Sequence, residues 1–250
     1  MLQEIAAGVF VATSRRMSTT STVLASPGQA LLIDPAWMPD ELDALSESLR
    51  ARSLEVIGGF STHAHQDHLL WHPGFGNAPR WASPRTTDLA RTERATLVEY
   101  LGADFPEALV DLMGQVDAVT EIPTVSIPHG FAPELLIHNG HAPGHSAVWL
   151  PDQRVLIAGD MLSDVELPLP FYPDDLPSYR EALDLLANYA RRALVVIPGH
   201  GSPGSDALAR LDADRRFLDD VTAGREPSDE RVSNPGMREV IEHLREMTSR

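Results

Sequence analysis

The chain has 250 residues, 43% of them apolar, enough for one large α/β domain or two small ones with a sizeable core. Its 20 basic and 36 acidic residues give a net charge of −16, which opposes binding to nucleic acid or to an anionic membrane surface, since both need a basic footprint. The chain lacks cysteine, which excludes disulfides, thiolate ligands and thiol nucleophiles; with no leader-like opening and no run long enough to span a membrane, a cytoplasmic protein is expected.

Val9-Phe10-Val11 reads as a first strand. The hydroxyl-rich, β-branched run from Ser18 to Ala25 suits a second strand. Pro27-Gly28 fits the centre of a type II turn, and Gln29 to Ile33 the returning arm of a hairpin. That arm ends at Asp34-Pro35, where the carboxylate either orients a ligand from behind or simply starts a turn before proline. Leucines at 42, 45 and 49 place an amphipathic helix over 39–52. Leu54 to Phe60 is a short buried strand punctuated by Gly58-Gly59. The densest chemical signal in the chain follows it: His63, His65, Asp67 and His68 within six residues. Side chains two apart in extended backbone point the same way, so His63 and His65 can reach one metal ion. Asp67 and His68 are adjacent, diverge from that pair and can build a second, neighbouring site. A loop leaving a buried strand is where a scaffold can hold such groups rigidly.

Beyond the cluster, Trp71 to Gly76 is a loop in which His72 either belongs to the loop or supports a ligand from behind, with lining the pocket as the alternative. Arg80 to Ser83 suggests a short strand, 84–100 one helix and 105–114 another. The β pattern returns with Leu135 to His138, Ala147 to Leu150 and Val155 to Ala158. Between the first two lies a turn, His141-Ala142-Pro143-Gly144-His145; the third ends at Gly159-Asp160, a good position for a carboxylate shared by two ions. A proline-rich loop over 165–177 follows. Its apolar residues, with Leu162, either line a substrate pocket or only cover the sheet edge: Leu167, Leu169, Phe171 and Tyr172. A helix over 177–192 leads to the strand Leu194 to Ile197 and then to Pro198-Gly199-His200. Ser202-Pro203-Gly204-Ser205 is a loop, and two charged helices near 205–223 and 235–247 finish the chain.

Taken together, His63-Ala64-His65-Gln66-Asp67-His68, Pro143-Gly144-His145, Gly159-Asp160 and Gly199-His200 stand in the order of the metallo-β-lactamase superfamily signature, and the chain resembles that superfamily over most of its length. The resemblance implies a four-layer αβ/βα sandwich, α/β (α+β) in class, with two mixed sheets face to face and helices outside. It implies one domain over 1–250 with the helices of 205–250 on its outside. It also implies two divalent ions, zinc above all, with manganese or iron tolerated. His63, His65 and His145 would hold the first, Asp67, His68 and His200 the second, and Asp160 would bridge them. His141 is then a residue behind the ligands or on the pocket wall and not a ligand, and His129, His138 and His243 have no role. The implied chemistry is hydrolysis by a hydroxide shared between the ions, with Asp67 also carrying a proton to the leaving group. A small-molecule ester, thioester or lactone is the expected substrate, and a homodimer is left open. A phosphodiesterase using the same site and a mononuclear iron oxidoreductase of the sulfur-dioxygenase type are the alternatives.

Overall fold

The computed structural model describes residues 2–170 and 175–248. Among them, seven strands form the first sheet, in spatial order β1 (Gln3–Ala6), β2 (Val9–Thr13), β3 (Thr20–Ser26), β4 (Gln29–Ile33), β5 (Glu55–Ser61), β6 (Arg80–Ala82) and β7 (Asp117–Ala118). The first four are antiparallel neighbours, and β4 to β7 run parallel. The second sheet holds β8 (Glu134–Ile137), β9 (Ser146–Leu150), β10 (Val155–Gly159) and β11 (Val195–Pro198), in the order β11-β10-β9-β8. Here β10 and β11 are parallel and the other pairs antiparallel.

The layers follow from the alternation of side chains along each strand. In β4, Leu31 and Ile33 face the other sheet, where they meet Val155 and Ile157 of β10 and Ile197 of β11 in one buried cluster. Ala30 and Leu32 face outward onto Leu42, Leu45 and Leu49 of α1 (Pro39–Ala51). Leu89 of α2 (Pro84–Thr92), Leu97 of α3 (Arg94–Leu101) and Leu109 of α4 (Glu107–Leu112) join that outer cluster. On the far side, Leu156 and Ala158 of β10 face α5 (Leu176–Ala190), α6 (Ala207–Thr222) and α7 (Met237–Thr248) through Leu183, Leu211, Phe217, Ile241 and Leu244. The central strands are covered on both faces, which is why they read as continuous apolar runs. The result is the four-layer αβ/βα sandwich, with two mixed sheets face to face. Among the described residues no helix is long and apolar enough to cross a membrane.

Three elements differ from the sequence expectation. The single helix over 84–100 is two, broken at Glu93 (φ −104°, ψ 10°), and neither proline nor glycine marks the break. Strands β1 and β7 were not expected. Gln3 and Glu4 of β1 and both residues of β7 are exposed, so neither strand carries the buried alternation by which strands are recognised.

The two sheets are stitched at one rim, and this positions the site. Ser146 N donates to Thr62 O (2.9 Å), Thr20 N to Gly199 O (2.7 Å) and Gly199 N to Gly159 O (2.6 Å). The loops leaving β5, β8, β10 and β11 therefore meet.

Candidate metal centre

Each chemical residue sits on a loop at that rim: His63, His65, Asp67 and His68 after β5, His141 between β8 and β9, Asp160 after β10 and His200 after β11. Close approach explains the glycines that precede two of them. A Cβ on Gly199 would lie 1.9 Å from Asp160 Oδ1, and one on Gly159 would lie 2.4 Å from His145 Nε2 at a φ of +55°.

The side chains gather in two groups, His63, His65, His141 and Asp160 in the first and Asp67, His68 and His200 in the second. In the first group His63 Nε2 is 2.9 Å from His65 Nδ1, His141 Nε2 is 3.2 Å from the same atom, and Asp160 Oδ2 lies 3.4 Å from His63 and 3.3 Å from His141. In the second, Asp67 Oδ2 is 3.3 Å from His200 Nε2 and 3.4 Å from His68 Nε2. The two imidazole nitrogens of that group are 3.5 Å apart. Asp160 reaches this group too, with Oδ1 3.1 Å from His68 Nε2 and Oδ2 3.2 Å from His200 Nε2. Tetrahedral donors 2.0–2.1 Å from zinc stand roughly 3.3 Å apart, so these spacings fit an ion in each group. Asp160 Oδ1 is also buried with no hydrogen bond, an orphaned carboxylate oxygen that a cation would satisfy.

Behind these residues Asp34 performs the orienting role that was one of its two readings. Its Oδ1 accepts from Thr62 N (2.8 Å), and its Oδ2 accepts from Thr62 Oγ1 (2.6 Å) and pairs with His68 Nδ1 (3.0 Å). The Thr62 hydroxyl, once it donates to Asp34, can accept from His63 Nδ1 (3.0 Å). One carboxylate thus fixes the ring orientation of a histidine in each group and leaves both Nε2 atoms facing the cluster. His200 is set from the other side, its Nδ1 3.0 Å from Met17 O.

Without bound ions the cluster balances its own charge. Burial pushes the His68 imidazole down, but Asp160, Asp67 and Asp34 outweigh it and hold the ring well above its ordinary value. His200 is likewise pushed up to about 10, against burial, by Asp160 and Asp67. Burial pushes Asp160 up, but His200, His68 and His63 win and hold its carboxyl well below the usual range. His63 goes the other way, pushed well down by burial and by His68.

One assignment is reversed by the geometry. His145, expected as the third histidine of the first group, lies outside it, and His141 stands in its place. His145 directly precedes β9, whose five residues are all buried, and its carbonyl accepts from His138 N. Its ring is therefore drawn inward, 4.9 Å from the ring of His63 and 4.7 Å from that of His138, with Nε2 accepting from Asp160 N (3.1 Å). His141 sits in the turn at a φ of +67°, a conformation uncommon outside glycine that carries its side chain to Asp160. Spacing alone does not separate the two, since both flank one Pro-Gly turn; only the buried register of β9 draws His145 inward.

The remaining expectations resolve simply. His72 pairs with Asp43 (3.0 Å) away from the cluster. Leu162 and Leu167 are buried in the core of the second sheet and Leu169 packs against it, so these three cover the sheet. Phe171 and Tyr172 lie outside the described residues.

Comparison with known proteins bears on the family and the fold. Residues 15–200 match the family model of the metallo-beta-lactamase superfamily. A curated relative, the probable metallo-hydrolase YflN of Bacillus subtilis (strain 168), is 26% identical over 74% of this chain and 80% of its own length. The fold is similar to that of a metallo-beta-lactamase family protein from Thermus thermophilus, with a TM-score of 0.66 and 20% identity over 98% of this chain and 90% of that one. It is also similar to a beta-lactamase domain protein from Burkholderia ambifaria, with a TM-score of 0.64 and 21% identity over 89% and 74% of the two chains.

The placement of these side chains can be checked by metal content. Elemental analysis of gel-filtered protein should give about one ion fewer per chain in His141→Ala than in the unsubstituted protein. His145→Ala should keep its ions while losing thermal stability, and equal metal loss in both variants would contradict the exchange of roles. A second prediction concerns pH. The folded pKa of His200 lies above the ordinary value of 6.5, so the metal-free ring still carries its proton at neutral pH, and an incoming ion must displace it. Apparent affinity should therefore rise between pH 6 and 8, by up to about tenfold per pH unit for each proton displaced. Calorimetry in buffers of different ionisation enthalpy should detect that proton release, and pH-independent affinity with no release would contradict the charge balance described above.

Proposed function

The chain belongs to the metallo-beta-lactamase superfamily, and from that premise we propose that this metallo-hydrolase holds two divalent ions and opens ester, thioester or lactone bonds of a small molecule. The observation that carries two ions is the position of Asp160, whose carboxylate lies within 3.4 Å of His63 and His141 on one side and within 3.2 Å of His68 and His200 on the other. His63, His65 and His141 would hold one ion, Asp67, His68 and His200 the other, with Asp160 between. Five imidazoles and two carboxylates suit zinc and tolerate manganese or iron.

Bound there, a pair of divalent ions supplies Lewis acidity, polarising a carbonyl oxygen and making water acidic enough to attack near neutral pH. The protein's own contribution is placement and proton handling. Asp34 and Thr62 keep His63 and His68 in one ring orientation, so the donor set is organised before substrate arrives. Asp67 presents Oδ2 to His68 and His200, and Thr19 Oγ1 donates to that same oxygen (3.3 Å). Its Oδ1 has no hydrogen-bond partner among the described residues and is the atom from which Asp67 would pass a proton to a departing alkoxide or thiolate; against burial, His68 and His200 hold the carboxyl below its usual range, so it would carry that proton only in transit. An acyl substrate is favoured over a phosphodiester because the chain carries −16 net charge and would repel a phosphate-bearing ligand.

The test is a substrate panel on protein of known metal content, with p-nitrophenyl acetate, a thioester and a lactone set against bis-p-nitrophenyl phosphate. Hydrolysis of the acyl substrates should dominate, and phosphodiester cleavage alone would overturn the substrate class. The role of Asp67 is tested separately. In Asp67→Asn, kept saturated with metal, the rate on an alkyl ester should fall about 10²–10⁴-fold more than the rate on a nitrophenyl ester, whose leaving group needs no proton. Equal losses on both esters would leave Asp67 as a ligand only.

A further inference from the structure

The loops that leave β10 and β11 carry Asp160 and His200, and they are tied to each other beyond those two residues. The peptide unit after His200 is gripped from both sides. Gly201 N donates to Ser18 O (2.9 Å), and His200 O accepts from Ser163 Oγ (2.7 Å). Ser163 Oγ also accepts from Val165 N (3.0 Å) and Glu166 N (2.9 Å), which closes a tight turn over 163–166. Ser202 N donates to Asp164 Oδ1 in that turn (2.8 Å).

The turn is itself held from far along the chain. Arg231 lies in the short turn Glu230–Ser233, between α6 and α7. Its Nη1 donates to Ser163 O (2.8 Å) and Glu166 O (2.9 Å). The guanidinium is buried and fixed on its other sides: Nε and Nη2 bond the Asp229 carboxylate side-on (3.0 and 2.8 Å), and Nη1 is 2.8 Å from Asp214 Oδ1 of α6. Apolar packing would stabilise the segment at least as well as a buried ion pair. What the guanidinium adds is direction, since one nitrogen gathers two carbonyls of one turn, and that turn's hydroxyl holds the backbone of His200. The supports of the first group lie elsewhere. Asp34 and Thr62 set His63, and the turn carrying His141 is held at Gly144 O by Ser83 Oγ and Thr86 Oγ1. Asp160, shared by both groups, is anchored by its own N to His145 Nε2 (3.1 Å).

We propose that Arg231 is a positioning residue for the second group: acting through Ser163, it fixes the backbone of His200 and so sets the affinity of the second ion without altering that of the first. The inference rests on the two-ion reading of the same site. It makes the C-terminal segment the element that decides whether the centre holds one ion or two.

The experiment titrates zinc, in a chelating buffer, into protein labelled with ¹⁵N at histidine. The ring signals of His63 and His141 report the first group, and those of His68 and His200 the second. In Ser163→Ala and in Arg231→Lys, affinity at the second group should fall about 10–100-fold while the first is unchanged. Lysine keeps a charge beside Asp214 but lacks the planar fork that spans these partners. The pair Arg231→Met with Asp214→Leu removes the guanidinium without stranding a buried carboxylate and should show the same selective loss, so either Arg231 variant answers if the other fails to fold. Because the two residues act in series, Ser163→Ala combined with an Arg231 variant should lose no more than the larger single loss. Leu244→Ala, which loosens the C-terminal helix but removes none of these hydrogen bonds, should keep the second ion. Equal weakening at both groups, an additive loss, no loss, or a matching loss in Leu244→Ala each overturns the proposal. Amide exchange in the metal-free protein separates it from the reading beneath it. In Arg231→Lys the amides of Val165, Glu166 and Ser202 should lose protection while that of Thr62 keeps it, and unchanged protection overturns the coupling whatever the metal content. If the His68 and His200 signals of the unsubstituted protein never respond to zinc, the two-ion reading fails and the exchange result alone decides the coupling.

Discussion

Everything at the rim depends on how the carboxylate of Asp34 is shared. It is buried at the end of β4 and has three partners, Thr62 N, Thr62 Oγ1 and His68 Nδ1. The first fixes the loop that leaves β5, and the other two reach a histidine in each half of the cluster, one directly and one through a hydroxyl. Without that acceptor the Thr62 amide would lose its partner inside the protein and both imidazoles would lose the contact that sets their tautomer. The sandwich supplies the rest, because β4, β5, β10 and β11 bring separate loops to one place and backbone hydrogen bonds between Thr62, Ser146, Gly159 and Gly199 lock them together.

Local strain is concentrated in the same region. Met17, Ser18, Asp34, His141 and Leu162 all have positive φ, and all lie on loops that build or flank the cluster. Such conformations cost of order 1–3 kcal/mol each and persist only where surrounding contacts over-determine them. Here those contacts are visible: Gly201 N donates to Ser18 O, His200 pairs with Met17 O, and Arg210 reaches toward Leu162 O. Burial of the apolar layers on either side, from Leu42 and Leu45 in α1 to Phe217 and Leu218 in α6, offsets that strain.

Much of this was legible in the residues. The continuous apolar runs within Gln29 to Ile33 and Val155 to Ala158 marked the central strands, and the crowding of His63, His65, Asp67 and His68 after a buried strand marked the site. Asp160 and His200 could be placed because each follows a glycine at a strand end. The exchange of His141 for His145 could not be read from spacing alone, since both flank one Pro-Gly turn. It turns on which of them enters the buried register of β9, a tertiary fact. The C-terminal support of the 163–167 loop was equally hidden, because the guanidinium of Arg231 and the carbonyls it gathers are more than sixty residues apart in the chain. Strands β1 and β7 escaped for a plainer reason: their residues are too exposed to carry a pattern.

The most direct test of the account is a crystal structure of the zinc-loaded protein with anomalous data collected at the zinc edge. Two peaks should be found, one within bonding distance of His63, His65 and His141, the other of Asp67, His68 and His200, with Asp160 touching both. A single peak, or a peak ligated by His145 with His141 turned away, would contradict it.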